Sequence, residues 1–279
     1  MTSDLPLSVW PTAQVAPRSQ RAGRYVELSR THPARMLPAI ARRAIEAYSI
    51  PGSIICDPMA GAGTTLVEAV HLGRDAIGVE YEPPFAALAE ANLAYATSQG
   101  ATGHGEIVQG DARYAASLVD PAVRGLVSLV LTSPPYGPSL HGNVRAVAGG
   151  GGVHKTHTRY SRDPANLGNV SVATLLDAMG AVFRECRALL APGGFVVMTA
   201  RPWWRDGRFI DFPGALGRVG EEAGLVLYER NVALLAGLRD DDLVPRVSFF
   251  ALDQVRRARA KGIPRFVTAH EDVLCWRKA

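Results

Sequence analysis

The sequence predicts an α/β fold whose core is a mostly parallel sheet with helices on both faces. Three observations carry that expectation. Short apolar runs alternate with amphipathic stretches of helical length along most of the chain, the pattern of successive strand–helix units. Three predicted strands end on an acid, at Asp57, Glu80 and Asp111, and open α/β sheets bind ligands at the carboxyl ends of their strands. A fourth apolar run, residues 125–131, stops at Thr132, Ser133, Pro134, Pro135 and Tyr136. Two prolines end a strand and leave its last polar side chain and a free carbonyl at the sheet edge.

Taken in order, residues 1–24 carry Pro6, Pro11 and Pro17 among mixed polar residues and read as an extended stretch. Residues 1–30 are assigned to an N-terminal arm and residues 31–279 to one domain. Apolar residues at helical spacing predict a helix over 33–48, with Thr31 as its cap and Pro33 in its first turn. Residues 52–57 are a short buried strand, Gly61 and Gly63 make the turn, and 64–73 is a helix that ends at its glycine. A strand at 75–80, a helix at 85–97 and a strand at 105–109 follow. After the strand that leads into Ser133 comes a long break, about 137–170, containing four successive glycines. Unstructured loops of that length are functional or disordered in compact domains. The alternation resumes with a helix at 172–190, a strand at 195–200, a helix at 216–223 and strands at 225–228 and 271–276.

The chain has 279 residues, 47% of them hydrophobic, enough to bury one sizeable core. No apolar run approaches the ~20 residues of a membrane helix. The N-terminus lacks the basic-then-apolar pattern of a signal peptide, so a cytoplasmic location is expected. Cys56, Cys186 and Cys275 are odd in number and widely spaced, which argues against a disulfide framework or a metal site. The net charge of +4 permits a polyanionic partner. Only Lys155, Lys261 and Lys278 are lysines among 30 cationic residues. Arginine suits forked contacts to phosphate and guanine, although coding bias produces the same skew.

The loop from Asp57 and Pro58 through Gly61, Gly63, Thr64 and Thr65 is not a phosphate loop, because no lysine precedes the threonines. It is not a nicotinamide-binding turn either, because Leu66 stands where a third glycine would be needed. Glu80 lies 23 residues past Asp57, near the ~20-residue offset of an acid that accepts from ribose hydroxyls. Acids at three strand ends suit a ligand with hydroxyls, an amino group and a sulfonium better than a pyrophosphate.

Together these motifs resemble the S-adenosylmethionine-dependent methyltransferases that modify exocyclic amino groups of DNA bases, the N4-cytosine and N6-adenine type. The resemblance implies a Rossmann-like class I methyltransferase fold with a mostly parallel seven-stranded sheet. It implies that His32 and Pro33 pack beside the methionine end of the cofactor. Asp57, Gly61, Gly63 and Thr64 would surround the methionine, with Pro58, Thr65 and Thr132 near them. Glu80 would hold the ribose, and Asp111 would accept from the adenine amino group. Ser133, Pro134, Pro135 and Tyr136 would be the catalytic loop. The Ser133 hydroxyl and Pro134 carbonyl would accept the two N–H groups of the target, while Tyr136 stacks on an extruded base. Serine in first place favours cytosine N4; adenine N6 is the alternative. Methylation at cytosine carbon 5 needs a thiolate, and no cysteine lies near Ser133. Many relatives with a Thr-Thr cofactor loop carry the catalytic loop first, whereas here the cofactor loop comes first.

Arg145, Lys155, Arg159 and Arg162 fall in the long break, beside flexible glycines. They are candidates for phosphate contacts around a flipped nucleotide, the other reading being a solvated insertion. Trp203 and Trp204 suit either base stacking or packing. DNA is the expected partner, RNA the alternative, and a paired restriction nuclease is compatible with the resemblance. A cofactor-binding adaptor without catalysis is the reading from another class.

Overall fold

A computed structural model describes residues 5–135, 143–146, 153–156, 160–205, 207–247 and 249–279. Its centre is an eight-stranded sheet. From edge to edge the strands are β1 (Val9–Trp10), β11 (Val226–Leu234), β14 (His270–Arg277), β8 (Leu190–Ala200), β5 (Val127–Thr132), β2 (Ile54–Asp57), β3 (Asp75–Glu80) and β4 (Gly105–Gln109). Only β14 runs antiparallel to its neighbours. Three two-stranded hairpins lie outside the sheet. They are β6 (Asn143–Ala146) with β7 (Val153–Thr156), β9 (Trp203–Arg205) with β10 (Arg208–Ile210), and β12 (Ala236–Arg239) with β13 (Asp242–Pro245).

Side chains alternate across the strands, so each face gains its own core. Leu129 and Leu131 of β5 face α2 (Pro38–Tyr48) and α3 (Thr64–His71), packing with Ile40, Ile45 and Val67. Val130 faces the other way, toward α6 (Val172–Leu189) and α7 (Phe212–Glu222), where Phe183 meets Trp276 edge-on at 4.8 Å between centroids. Fully burying a leucine or phenylalanine contributes about 2 kcal/mol, so both layers are firmly held. The remaining helices are α1 (Pro17–Arg21), α4 (Pro83–Ser98), α5 (Ala115–Leu118) and α8 (Phe249–Ala260).

The architecture agrees with the predicted mostly parallel α/β sheet, and several details differ. The eighth strand comes from the stretch read as an extended arm. β1 pairs with β11 at Val9–Val232 and Trp10–Ala233, and Trp10 and Tyr25 are buried. Two apolar rings outweigh the prolines that suggested extension. Arg24 forks onto the fully buried Glu68 of α3 at 2.7 and 2.8 Å, and the Tyr25 hydroxyl donates to it at 2.7 Å.

The helix predicted from residue 33 begins at Pro38 instead, because Leu37 is extended (φ −68°, ψ 130°), the conformation forced on a residue before proline. Thr31 is no cap for it: its hydroxyl donates to the Leu28 carbonyl at 2.7 Å. β11 runs past the predicted 225–228 to Leu234, since pairing with β14 continues to Leu234–His270. The long break is not wholly irregular, since it holds the β6–β7 hairpin.

Candidate active site

The carboxyl ends of β2, β3 and β5 open into one cavity of about 700 Å³, a size usual for small-molecule sites. Asp57, Glu80, Asp111, Thr64, Thr65, Ser133, Pro134 and Pro135 all line it. The two halves read separately in the sequence therefore share one space.

Gly63 caps α3 in a left-handed conformation (φ 76°), and Gly61 before it has φ 54°. A side chain at Gly61 would meet His32: its Cβ would lie 2.8 Å from the imidazole Nε2. The missing side chain at Gly61 thus leaves room for the His32 imidazole. His32 is buried, with Phe85 edge-on at 4.3 Å and Tyr160 at 5.4 Å. It is a wall of the cavity rather than a surface residue. Pro33 lies beside it on the lining, as does Pro58 next to Asp57.

Asp57 is buried at the tip of β2 and accepts from the Met59 N–H at 3.1 Å. Burial pushes its carboxyl up to about 6, while the Thr132 and Thr65 hydroxyls and the Met59 N–H favour the charged form. The Thr65 hydroxyl donates to the Leu131 carbonyl at 3.3 Å. Thr132 is buried beside Asp57, and among the described residues its hydroxyl makes no hydrogen bond of regular geometry. Glu80 accepts from the Gly61 N–H at 2.7 Å and the Glu82 N–H at 2.9 Å. Burial raises its carboxyl to about 7, opposed by those two N–H groups and reinforced by the charges of Asp57 and Glu82. Two buried acids of this kind, each with accepting capacity left, are suited to a ligand rich in donors.

Asp111 lines the same cavity and is paired with a cation. Arg113 holds it with Nε at 3.0 Å from both oxygens and Nη2 at 2.5 Å. Burial raises the Asp111 carboxyl, but the Arg113 guanidinium and N–H outweigh it and hold it below the usual range. The acid still lines the cavity, with its carboxylate committed to Arg113. Sequence reasoning missed Arg113. It also missed the tether that closes the end of the long break onto β3: the Asn166 amide donates to Glu82 at 2.5 Å, and the Tyr81 hydroxyl to Asp163 at 2.7 Å. Glu82, two residues past Glu80, was the one available signal.

Ser133 follows β5 directly, with Pro134 buried and Pro135 partly so. Tyr136 and Arg159 lie outside the described residues. Arg145 and Lys155 sit on β6 and β7, whose side chains are likewise outside the description. Arg162 is exposed and does not line the cavity. Beyond Ser133 the cavity continues along Thr199, Trp203, Trp204, Arg265, Phe266 and Glu271. The Arg265 guanidinium lies 4.5 Å from the centroid of Trp204, a cation–π contact. The two tryptophans divide the roles suggested for the pair: Trp203 is buried against Phe212, and Trp204 is 43% exposed at the cavity.

Sheet order and site together define the class I methyltransferase architecture. TrmN from Thermus thermophilus shares the fold, with a TM-score of 0.54 at 16% identity over 93% of this chain and 53% of that one. So does the [4+2]-cyclase SpnF, with a TM-score of 0.50 at 14% identity over 88% of this chain and 83% of that one. The fold alone therefore does not set the reaction. Residues 2–91 match the family described as DNA methylase. The Type II methyltransferase M.ScaI of Streptomyces caespitosus is 33% identical over 89 residues, 32% of this chain and 28% of that protein. M.MthZI of Methanothermobacter thermautotrophicus is 41% identical over 54 residues, 19% of this chain and 15% of that protein. The chain thus matches less than a third of the length of either relative.

These matches bear out the resemblance to the DNA amino-methyltransferase family, whose cofactor is S-adenosylmethionine. The site fits that cofactor. The cavity is large enough, and Asp57 and Glu80 line it as buried acceptors. No helix among the described residues is long and apolar enough to cross a membrane.

Proposed function

We propose that this chain transfers a methyl group to an exocyclic amino nitrogen of a DNA base, with cytosine N4 as the first target and adenine N6 as the second. The observation that carries this reading is the single cavity that has Asp57 and Glu80 at one end and Ser133 and Pro134 beside them. S-adenosylmethionine, when bound, supplies a methyl group made electrophilic by its sulfonium.

The residues of the chain solve the other half of the problem. An amino nitrogen on cytosine or adenine is a poor nucleophile because its lone pair is conjugated with the ring. Two acceptors that take its two N–H groups turn that lone pair out of the plane. The Ser133 hydroxyl and Pro134 carbonyl fill these roles, and Pro135 keeps the carbonyl from turning away. Orientation in a pocket shielded from water supplies most of the rate. Asp57, braced by Thr132, would hold the amino-acid end of the cofactor, and Glu80 would hold the ribose. Tyr136 and Trp204 provide faces for an extruded base. Phosphate contacts come from the cationic residues Arg145, Lys155, Arg159 and Arg162. Ser133 in place of an acid or amide favours cytosine, following the family resemblance. The Type II designations of the matched relatives support a nuclease of the same specificity as partner, with action on DNA in the cytoplasm.

The experiment is nucleoside mass spectrometry after the full chain meets isotopically labelled S-adenosylmethionine and unmethylated DNA or RNA. Labelled N4-methylcytosine in DNA is expected. Labelled N6-methyladenine would move the target to the second choice, and product in RNA would replace DNA as substrate. Cofactor and DNA binding without product would make the chain an adaptor.

A further inference from the structure

A methylated amino nitrogen carries one proton too many, and two hydrogen-bond acceptors do not by themselves remove it. The far wall of the cavity holds an acid that the reaction described above leaves unused. Thr132 pairs with Met198, Val273 with Thr199, and Asp272 with Ala200. Extending these registers one residue past the ends of β5 and β8 brings Ser133 next to Thr199 and Glu271 next to Arg201. Alternate strand residues share a face, so Ser133, Thr199, Arg201 and Glu271 belong to the face of Leu131, Val197 and Val273. Ser133, Thr199 and Glu271 all line the cavity. Thr199 and Glu271 are diagonal cross-strand neighbours, a separation that a long side chain spans.

We propose that Glu271 is the terminal acceptor of the proton released by the target amino group, reached from Ser133 through Thr199. This rests on the amino-methyltransferase reading. As the nitrogen lone pair forms the new bond to the methyl carbon, that carbon's bond to sulfur breaks and its pair stays on sulfur; one N–H bond then breaks and its electron pair remains on nitrogen. The proton passes to the Ser133 oxygen, the Ser133 proton to the Thr199 oxygen, and the Thr199 proton to the Glu271 carboxylate. Solvent takes it from there, Glu271 being only partly buried by the fold.

The surroundings suit the role. The Thr199 hydroxyl is buried without a regular hydrogen bond among the described residues, yet lies close enough to Glu271 to favour its charged form. Burial raises the Glu271 carboxyl, opposed by Arg201, Thr199 and His270 and reinforced by Asp272. Arg205, Arg265, Asp57 and Glu80 line the same cavity. A carboxyl raised toward neutrality is a better proton acceptor than an ordinary glutamate.

The test is the pH dependence of single-turnover methylation by the full chain, with saturating S-adenosylmethionine and unmethylated double-stranded DNA of mixed sequence. Glu271→Gln is expected to slow the step ~10²-fold and to remove one acidic limb from the profile. Its affinity for S-adenosylhomocysteine, read by calorimetry, stays within about twofold, because an acceptor on the far wall makes no cofactor contact. Thr199→Val loses roughly tenfold more rate than Thr199→Ser, which keeps the hydroxyl. If Glu271→Gln fails to fold, the Thr199 pair decides, and equal losses overturn the proposal. Methylation by the unaltered chain together with an unchanged limb and rate in Glu271→Gln overturns the proposal alone. Absence of methylation by the unaltered chain overturns the amino-methyltransferase reading and this proposal with it.

Discussion

Cofactor affinity should weaken as the pH falls through neutrality, and the size of the effect follows from Glu80. Its carboxyl is raised to about 7 in the free chain. Ribose hydroxyls that donate to it stabilise only the carboxylate. At pH 6 about a tenth of the free protein holds Glu80 ionised, and at pH 8 about nine tenths. Binding must expel the missing proton, so the dissociation constant should rise ~10-fold from pH 8 to pH 6, about 1.4 kcal/mol. Asp57, raised to about 6, adds roughly a further factor of two if its carboxylate faces the cofactor's ammonium group. The sign for stability is opposite. Both acids keep protons longer in the folded chain than in the unfolded one, so the free protein loses stability as the pH rises from the ordinary carboxylate range to about 7. The assay is calorimetry with S-adenosylhomocysteine at pH 6 and pH 8, in buffers of different ionisation enthalpy. About 1.4 protons should leave per ligand bound at pH 6. Glu80→Gln should leave only the twofold contribution of Asp57. A dissociation constant that does not change with pH, or binding without proton release, would refute the assignment of Glu80 to the ribose.

Three other outcomes follow from contacts already described. Ser133→Ala should slow single-turnover methylation ~10²–10³-fold, the cost of removing one preorganised hydrogen-bonding group, while calorimetry finds cofactor affinity nearly unchanged; full activity would exclude the hydroxyl from the reaction. Glu68→Ala leaves Arg24 and Tyr25 without their shared buried partner and should destabilise the chain by about 3–5 kcal/mol in urea titrations. Gly61→Ala combines φ 54° with a Cβ 2.8 Å from the His32 imidazole; a loss of about 1–3 kcal/mol in the same titrations and weaker cofactor binding are expected.

Much of the cofactor half was legible because its constraints are local. A strand ending in an acid, then glycines at two left-handed positions, then a threonine-led helix, is written within nine residues, 57–65. The proposed catalytic loop was legible for the same reason, since Pro134 and Pro135 punctuate the chain where β5 must stop. The contacts that escaped notice join residues far apart in sequence. Arg113 lies two residues from Asp111, yet nothing in the order Asp-Ala-Arg says that the guanidinium folds back over the carboxylate. Glu68 is one acid within the helix predicted over 64–73, and nothing beside it in sequence marks it as buried. It is fully buried because Arg24, Tyr25 and Arg42 come from other segments to meet it. The misread N-terminal stretch has the same origin: its prolines are a local signal, and the burial of Trp10 and Tyr25 is not.

That stretch also changes how the cofactor loop is understood. Arg21 is largely buried, and its Nη2 donates to the Met36 carbonyl at 2.5 Å and to the Thr64 hydroxyl at 3.1 Å. Its guanidinium lies 4.6 Å from the Tyr25 ring centroid. One cation thereby joins the segment before α2 to the first residue of α3, at the turn where Gly61 and Gly63 leave no side chain to hold position. His32 presses on Gly61 from the same segment, and Arg24 anchors α3 one turn further on. A glycine turn is easily bent and entropically costly to order, so a cofactor that met it loose would bear that cost on binding. Residues 21–36 bear it during folding instead. The region that lies outside the strand–helix alternation therefore supplies the rigidity that the most recognisable motif of the chain lacks.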